Sequence, residues 1–150
     1  MDILQWLIGK KCKKVQSFGA LSYFKEENAP KDAPDYCIQG CPKADTCPYN
    51  AVRLYLDWFR TTSTREANPT DEMVETALRT TQYGKCVFKC DNDVVDHQTV
   101  NMIFEDDITV TFTMNAFNKG GRFIHIMGTK GELHAAMDGL GTPITIYEFE

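Results

Sequence analysis

Apolar residues recur at helical spacing in the first half of the chain. In I-L-Q-W-L-I, residues 3–8, this spacing ends at Gly9 and predicts a short helix. V-Q-S-F-G-A-L-S-Y-F, residues 15–24, alternates and predicts a strand. Further on, A-V-R-L-Y-L-D-W-F-R at 51–60 and D-E-M-V-E-T-A-L-R-T-T at 71–81 predict two more helices. Thr70 or Asp71 is the expected N-cap of the last one.

From residue 85 onward the pattern changes to a period of two, which predicts successive strands. Polar or glycine-rich turns at 105–107, 118–121, 128–131 and 138–141 separate the later ones. Short polar turns between alternating segments indicate an antiparallel meander. The predicted strands are K-C-V-F-K-C at 85–90, H-Q-T-V-N-M-I-F-E at 97–105, I-T-V-T-F-T-M-N-A-F at 108–117, R-F-I-H-I-M-G at 122–128, E-L-H-A-A-M at 132–137 and P-I-T-I-Y-E-F at 143–149.

The strand at 108–117 has two different faces, and this contrast predicts the architecture. One face is apolar and is expected to meet a core. The other is too polar for a second core, so it either meets solvent or forms a flat partner surface, and we expect it to contact a second copy of the chain. The fold class expected is α+β, an open, mainly antiparallel β-sheet with helices packed on one face. The apolar face carries Ile108, Val110, Phe112, Met114 and Ala116, and the polar face carries Thr109, Thr111, Thr113, Asn115 and Phe117.

Composition limits the function classes. With 150 residues, of which 43% are hydrophobic, the chain is expected to form a single domain, 1–150, with a Cys-rich insertion at about 25–82. A net charge of -5 disfavours nucleic acid as a partner. No apolar run approaches the roughly eighteen residues of a membrane span. The start lacks a basic segment before its apolar residues, unlike a secretory signal, and this favours the cytoplasm.

Three of the six cysteines crowd into Y-C-I-Q-G-C-P-K-A-D-T-C-P-Y, residues 36–49. In a reducing compartment these thiols are expected to bind a metal or to be buried rather than to form a disulfide framework. A fourth ligand from Cys90, or alternatively Cys86, would complete a structural site for zinc or another thiophilic metal, including an iron-sulfur cluster. Both cannot serve if 85–90 is a strand, because they would lie about 13 Å apart. Buried free thiols together with a disulfide remain the alternative. The ligand set is Cys37, Cys41, Cys47 and Cys90, with Cys86 as the alternative fourth ligand.

Several segments together resemble one family. They are M-D-I-L-Q-W-L-I-G-K-K, C-D-N-D-V-V-D-H-Q, V-N-M-I-F-E-D-D-I-T-V-T-F-T-M-N-A-F and I-M-G-T-K-G-E-L, in the family's order and at about its spacing. The chain resembles, over nearly its whole length, the C-terminal domain of Gfo/Idh/MocA-type oxidoreductases. The resemblance implies a domain that walls the substrate site and forms homo-oligomers, beside an N-terminal Rossmann domain that binds NAD or NADP. The implied substrate is a sugar, inositol or related polyol, oxidised at a CH-OH group.

The chain departs from this family at the chemistry. It has no G-x-G-x-x-G after a strand and no Glu-Lys-Pro motif. Asp2 matches the carboxylate of the family's His-Asp pair, a remnant of the active-site helix, but the His that would transfer the proton is missing. The chain alone is therefore expected to bind no dinucleotide and to be inactive.

By the same resemblance, the segment before the strand at 97–105 enters the sheet near the substrate, so Asn92, Asp93 and His97 are candidate substrate-binding residues. From the residues alone, this segment is expected to be a turn with Asx-type hydrogen bonds and a half-exposed His. His125 and His134 are expected to be ordinary sheet residues. Two other functions stay open: a stand-alone metal-stapled protein-binding module, and an independent enzyme that uses Asp93 and His97.

Overall fold

The computed structural model describes residues 2–137 and 141–150, and it describes the side chains from Ile3 onward. The chain forms two compact units, Met1–Met114 and Asn115–Glu150. Its helices are α1 (Asp2–Ile8), α2 (Ala51–Asp57), α3 (Arg60–Thr64) and α4 (Asp71–Thr80). Its strands are β1 (Cys12–Ala20), β2 (His97–Phe104), β3 (Thr109–Asn115), β4 (Phe123–Gly128), β5 (Gly131–Ala136) and β6 (Ile144–Glu148).

The first unit contains a three-stranded sheet in the order β1-β2-β3. β1 and β2 are antiparallel, with Val15 opposite Met102 and Ser17 opposite Val100. β2 turns into β3 through Glu105–Asp107, where Asp106 takes a left-handed φ of 59°. Aspartate tolerates this conformation better than most residues do, so the acidic tripeptide can make the tight reversal.

One face of this sheet forms a buried cluster. Val100, Met102 and Phe104 alternate along β2 and are 7%, 3% and 2% exposed. Leu4 and Ile8 of α1 pack against them, which is why the helix needs apolar residues four positions apart. Across β2, the opposite face carries Asn101, which is exposed.

The segment between β1 and β2 has a small core of its own, between α2 and α4. Val74 and Leu78 are fully buried there, beside Ala51. Asn50 caps α2 by accepting the Val52 N–H at 2.9 Å, and Thr70 caps α4 by accepting the Met73 N–H at 3.3 Å. The helix predicted at 71–81 and its Thr70 cap are therefore confirmed.

Two local predictions in this segment are wrong. The helix expected over 51–60 ends at Asp57, and the separate helix α3 begins at Arg60. Residues 85–90 form a 3₁₀ turn at Val87–Lys89 rather than a strand. Their alternation arises because Cys86 and Phe88 both turn inward into a cluster with Ala33, so the packing of a turn reproduces the period of a strand.

The second unit contains the antiparallel sheet β4-β5-β6. Gly131 starts β5 so close to β6 that a Cβ atom there would lie 2.3 Å from the Tyr147 carbonyl oxygen. The predicted turn at 138–141 lies mostly outside the described residues. The expected mixture of helices and antiparallel strands is confirmed, and the strands form two three-stranded sheets. In the described part of the chain, no helix has the length and apolar character to cross a bilayer.

Candidate metal centre and the Asp96–His97 pair

The cysteines of the insertion lie on short turns that fold back on one another. Cys37 begins a 3₁₀ turn that Gly40 ends with a φ of 89°. The Cys47 N–H donates to the Lys43 carbonyl at 2.9 Å. From the far end of the segment, the Cys86 N–H donates to the Asp35 carbonyl at 2.7 Å. This bond places Cys86 beside the turn of Cys37.

Four cysteines line one small cavity of about 10 Å³, which has room for about one water molecule or ion. All six thiols of the chain are free. The other lining residues are mostly apolar, so the cavity presents sulfur atoms as its main ligand groups. The cysteines are Cys37, Cys41, Cys47 and Cys86, and the other lining residues are Pro30, Ala44, Tyr49, Asn50, Val87 and Phe88.

Electrostatics connect these four thiols. Burial raises the pKa of Cys37, and negative charge on Cys86, Cys41 or Cys47 would raise it further, against a hydrogen bond from the Ala51 N–H that lowers it. A cluster of close, partly buried thiols resists ionisation because each thiolate disfavours the next. A bound divalent cation favours ionisation of the thiols instead, since it stabilises every thiolate that it ligates.

The donor set fits a thiophilic metal, and the spacing of the sulfurs is wider than a bound zinc ion imposes. Tetrahedral zinc with Zn–S bonds of about 2.3 Å holds its sulfurs about 3.8 Å apart. Within the described part of the chain, no three cysteine sulfurs lie within 4.8 Å of one another. Rotation about χ1 moves a cysteine sulfur by roughly 3 Å. Closing the site around an ion therefore requires the cysteine side chains to rotate.

Cys90 lies at the other end of the 3₁₀ turn from Cys86. Its thiol donates to the Cys86 carbonyl at 3.4 Å, and burial raises its pKa. The separation of about 13 Å expected for a strand does not apply, because residues 86–90 are a turn. Cys86, the alternative fourth ligand, is the one that lines the cavity with the other three.

Aromatic rings pack along one side of the cavity. Tyr49 and Phe88 line it and pack against each other with ring centres 6.0 Å apart at 83°. Phe24 contacts both rings, at 5.0 Å from Tyr49 and 5.9 Å from Phe88. Edge-to-face packing of this kind excludes water from one side of the cysteines.

A second group of polar residues centres on Asp96, immediately before β2. Its side chain is 2% exposed. Oδ2 accepts the backbone N–H groups of Ser22 at 2.9 Å, Tyr23 at 2.7 Å and Phe24 at 3.4 Å. Oδ1 lies 2.8 Å from His97 Nδ1. One carboxylate thus joins the loop after β1 to the start of β2.

These hydrogen bonds keep Asp96 ionised. Burial alone would raise the pKa of this carboxyl, but the hydrogen bonds from Tyr23, His97, Ser22 and Phe24 outweigh burial and hold the pKa well below its usual range. An ionised carboxylate only accepts hydrogen bonds, so His97 Nδ1 must carry the proton. In the neutral ring, Nε2 is then left with a lone pair, and the side chain is 44% exposed.

The other predicted site residues lie apart from this arrangement. The Asn92 side chain accepts the Val94 N–H at 2.9 Å, which is an Asx-type turn, and Asp93 is exposed in the same loop. Helix α1 begins at Asp2, whose side chain lies outside the described part of the chain. Asp96 is the residue that sequence reasoning did not single out. The adjacent Asp-His pair just before a strand was its signal.

The predicted contact face of β3 is open. Thr109, Thr111 and Thr113 are exposed, and the Thr111 hydroxyl donates to Asn101 Oδ1 at 2.9 Å. Asn115 and Phe117 are exposed as well. No protein-family model, curated protein or solved structure matches this chain.

Proposed function

We propose that this chain is the substrate-side domain of an NAD(P)-dependent oxidoreductase that acts on a sugar, inositol or related polyol. The observation that carries the proposal is the Asp96–His97 pair. The buried carboxylate holds His97 Nδ1–H at 2.8 Å, so Nε2 is available to accept a hydrogen bond from a substrate hydroxyl. The reaction class itself comes from the sequence resemblance.

In this proposal, His97 orients the hydroxyl of the carbon that is oxidised. The dinucleotide, held by a separate Rossmann domain, supplies the hydride acceptor. Asp96 orients the imidazole through Oδ1, and its Oδ2 accepts the N–H groups of residues 22–24, so the carboxylate links the proposed substrate contact to the loop after β1. Asn92 and Asp93 form the loop that leads into this position.

Exposed apolar side chains support a larger assembly. Trp6 on α1 is 78% exposed, and Val15 and Phe18 on β1 are each 63% exposed. On β3, Val110 packs against the buried cluster, whereas Phe112 remains 40% exposed. We propose that these exposed side chains contact another domain or subunit, because a large exposed apolar surface is typical of such contacts. The partners proposed are the chain's own N-terminal Rossmann domain and a second copy, which meets the face of Thr109, Thr111, Thr113, Asn115 and Phe117.

The proposal includes the open antiparallel sheet with helices on one face that the resemblance implies. It also includes a cytoplasmic location, because six free thiols fit a reducing compartment.

A calorimetric titration of this chain with NAD and NADP tests whether the dinucleotide site lies outside it. Because the chain lacks G-x-G-x-x-G, we expect no micromolar affinity for either dinucleotide, and such an affinity would overturn the proposal.

The full reading frame of the gene is a second test, since we expect it to encode a Rossmann domain upstream of this chain. In the two-domain enzyme, His97→Ala should raise KM for the polyol at least about tenfold. Unchanged KM and kcat would show that His97 does not contact the substrate. The control variant is Lys31→Ala, since Lys31 is exposed.

The second candidate is a stand-alone protein-binding module stapled by a metal ion. The cavity shared by Cys37, Cys41, Cys47 and Cys86 favours it, because a closed four-thiolate site is structural rather than catalytic. A metal at these cysteines fits both candidates, so the reading frame and the polyol kinetics distinguish them.

A further inference from the structure

The second unit brings two histidines and a glutamate together on one face of its sheet. His125 on β4 and His134 on β5 are directly opposite each other in the antiparallel register. Glu132 precedes His134 by two residues and therefore points to the same face. Directly opposed residues have Cβ atoms about 5 Å apart, which is close enough for their side chains to share one ligand.

The three side chains converge on a common point. His125 Nε2 lies 3.0 Å from Glu132 Oε2, and His134 Nε2 lies 3.3 Å from Glu132 Oε1. One donor atom from each residue falls within 4.8 Å of the other two. In the described part of the chain, this is the one group of three His, Cys, Asp or Glu residues that meets that distance. Its members are accessible, with side-chain exposures of 42% for His125, 32% for Glu132 and 47% for His134.

Neighbouring contacts restrict the rings. The imidazoles of His125 and His134 stack with centres 3.9 Å apart and planes 34° apart, and Tyr147 meets His134 edge-on at 5.8 Å. Both rings turn Nε2 toward Glu132, His125 toward Oε2 and His134 toward Oε1. Stacked rings that both turn Nε2 toward one carboxylate form a partly preorganised set of nitrogen and oxygen ligands.

An ion-pair ladder on an exposed sheet would also bring a histidine to a glutamate. It does not require two imidazoles, stacked 3.9 Å apart, on a single carboxylate. Two imidazoles with a carboxylate are ligands that suit Zn²⁺.

We propose that His125, Glu132 and His134 bind a divalent transition-metal ion, and that Zn²⁺ is the ion that fits best. The three protein ligands leave one position of a tetrahedral ion for water or a small anionic ligand, unlike the closed set of four cysteines. The site does not depend on the oxidoreductase proposal. Its ligands come from two strands, so no local spacing of residues indicates it.

The experiment is a Zn²⁺ titration of the ¹⁵N-labelled full chain, followed by NMR of the imidazole nitrogens. These signals separate the site from the cysteines, because neither histidine is near a thiol in sequence and sulfur ligands do not shift imidazole nitrogens. We expect saturable shifts of the His125 and His134 nitrogens. Unchanged imidazole signals at a large excess of Zn²⁺ would overturn the proposal.

Variants test each ligand. His134→Gln and Glu132→Gln should each weaken Zn²⁺ binding at this site at least about tenfold. Met127→Ala is the matched control, since Met127 lies on the same hairpin, pairs with Glu132 and is 74% exposed. The nearly isosteric Glu132→Gln keeps the strand, and its backbone amide spectrum verifies folding. If it binds Zn²⁺ like the parent chain, the proposal fails.

Discussion

The backbone N–H of Cys86 donates to the Asp35 carbonyl at 2.7 Å, and this bond joins a residue just after the insertion to the segment that precedes Cys37. The neighbouring residues Tyr36 and Lys85 form an isolated antiparallel bridge. Together these contacts bring Cys86 to the cavity of Cys37, Cys41 and Cys47. Backbone pairing of residues 35–36 with residues 85–86 therefore places the fourth thiol at the cavity.

The first prediction concerns metal content. Purified under reducing conditions, the chain should hold about one equivalent of a thiophilic metal at the cysteines, apart from any Zn²⁺ at His125, Glu132 and His134. Cys86→Ser should lose this equivalent because one of four lining thiols is gone. Cys90→Ser should retain it. Elemental analysis with a count of reactive thiols measures both. Iron with sulfide in place of zinc would identify a cluster. Metal loss in Cys90→Ser and retention in Cys86→Ser would contradict the assignment.

The second prediction concerns acid stability. Because folding lowers the pKa of Asp96, this carboxylate stabilises the fold at neutral pH, and its contribution declines as the pH falls below about 4. Asp96→Asn should be less stable at pH 7, since an amide NH₂ cannot accept the N–H groups of residues 22–24. The difference from the parent chain should shrink toward acid pH in urea unfolding. Asp93→Asn, in the exposed loop, is the control, and a pH-independent difference for Asp96→Asn would count against the assignment.

The third prediction concerns the core of the insertion. Leu78 is fully buried on α4, so Leu78→Ala should cost about 2–5 kcal/mol in free energy of unfolding. Met73→Ala on the same helix should cost less, because Met73 is 40% exposed. Chemical denaturation of metal-free protein gives both values. Equal costs would mean that α4 packs differently.

The fourth prediction concerns the second unit. Gly131→Ala places a methyl group against the Tyr147 carbonyl and should destabilise the pairing of β5 with β6 by about 1–3 kcal/mol. In Gly128→Ala the nearest contact would be an ordinary 3.5 Å to the Gly131 carbonyl oxygen, so a smaller effect is expected. Amide hydrogen exchange of β6 compares the two variants. Equal protection in both would show that this close approach is absent in solution.

The fifth prediction concerns assembly. If the threonine face of β3 is a subunit contact, light scattering should detect a homo-oligomer, and Thr111→Lys should shift it toward the monomer by burying a charge at the contact. Thr76→Lys, also at an exposed threonine but on α4, should leave the assembly unchanged. A strict monomer for the parent chain would contradict the predicted contact.

Local patterns in the sequence predicted much of the secondary structure. Alternation identified β1 to β6, and the Thr70 cap and the amphipathic spacing identified α4, because side-chain period and capping depend on nearby residues alone. Alternation misled at 85–90, where Cys86 and Phe88 turn inward from a 3₁₀ turn. An alternating pattern indicates which residues are buried, but a strand and a 3₁₀ turn can both produce it.

By itself, the sequence determined which residues share a strand face and which cysteines crowd into one loop. The tertiary structure alone decided that Cys86 lines the cavity, that Asp96 holds both His97 and the loop at 22–24, and that His125 lies opposite His134. Each of these contacts depends on strand register or on a backbone bond between distant segments. Register and chain closure are set by the packing of the whole unit, so no local pattern specifies them.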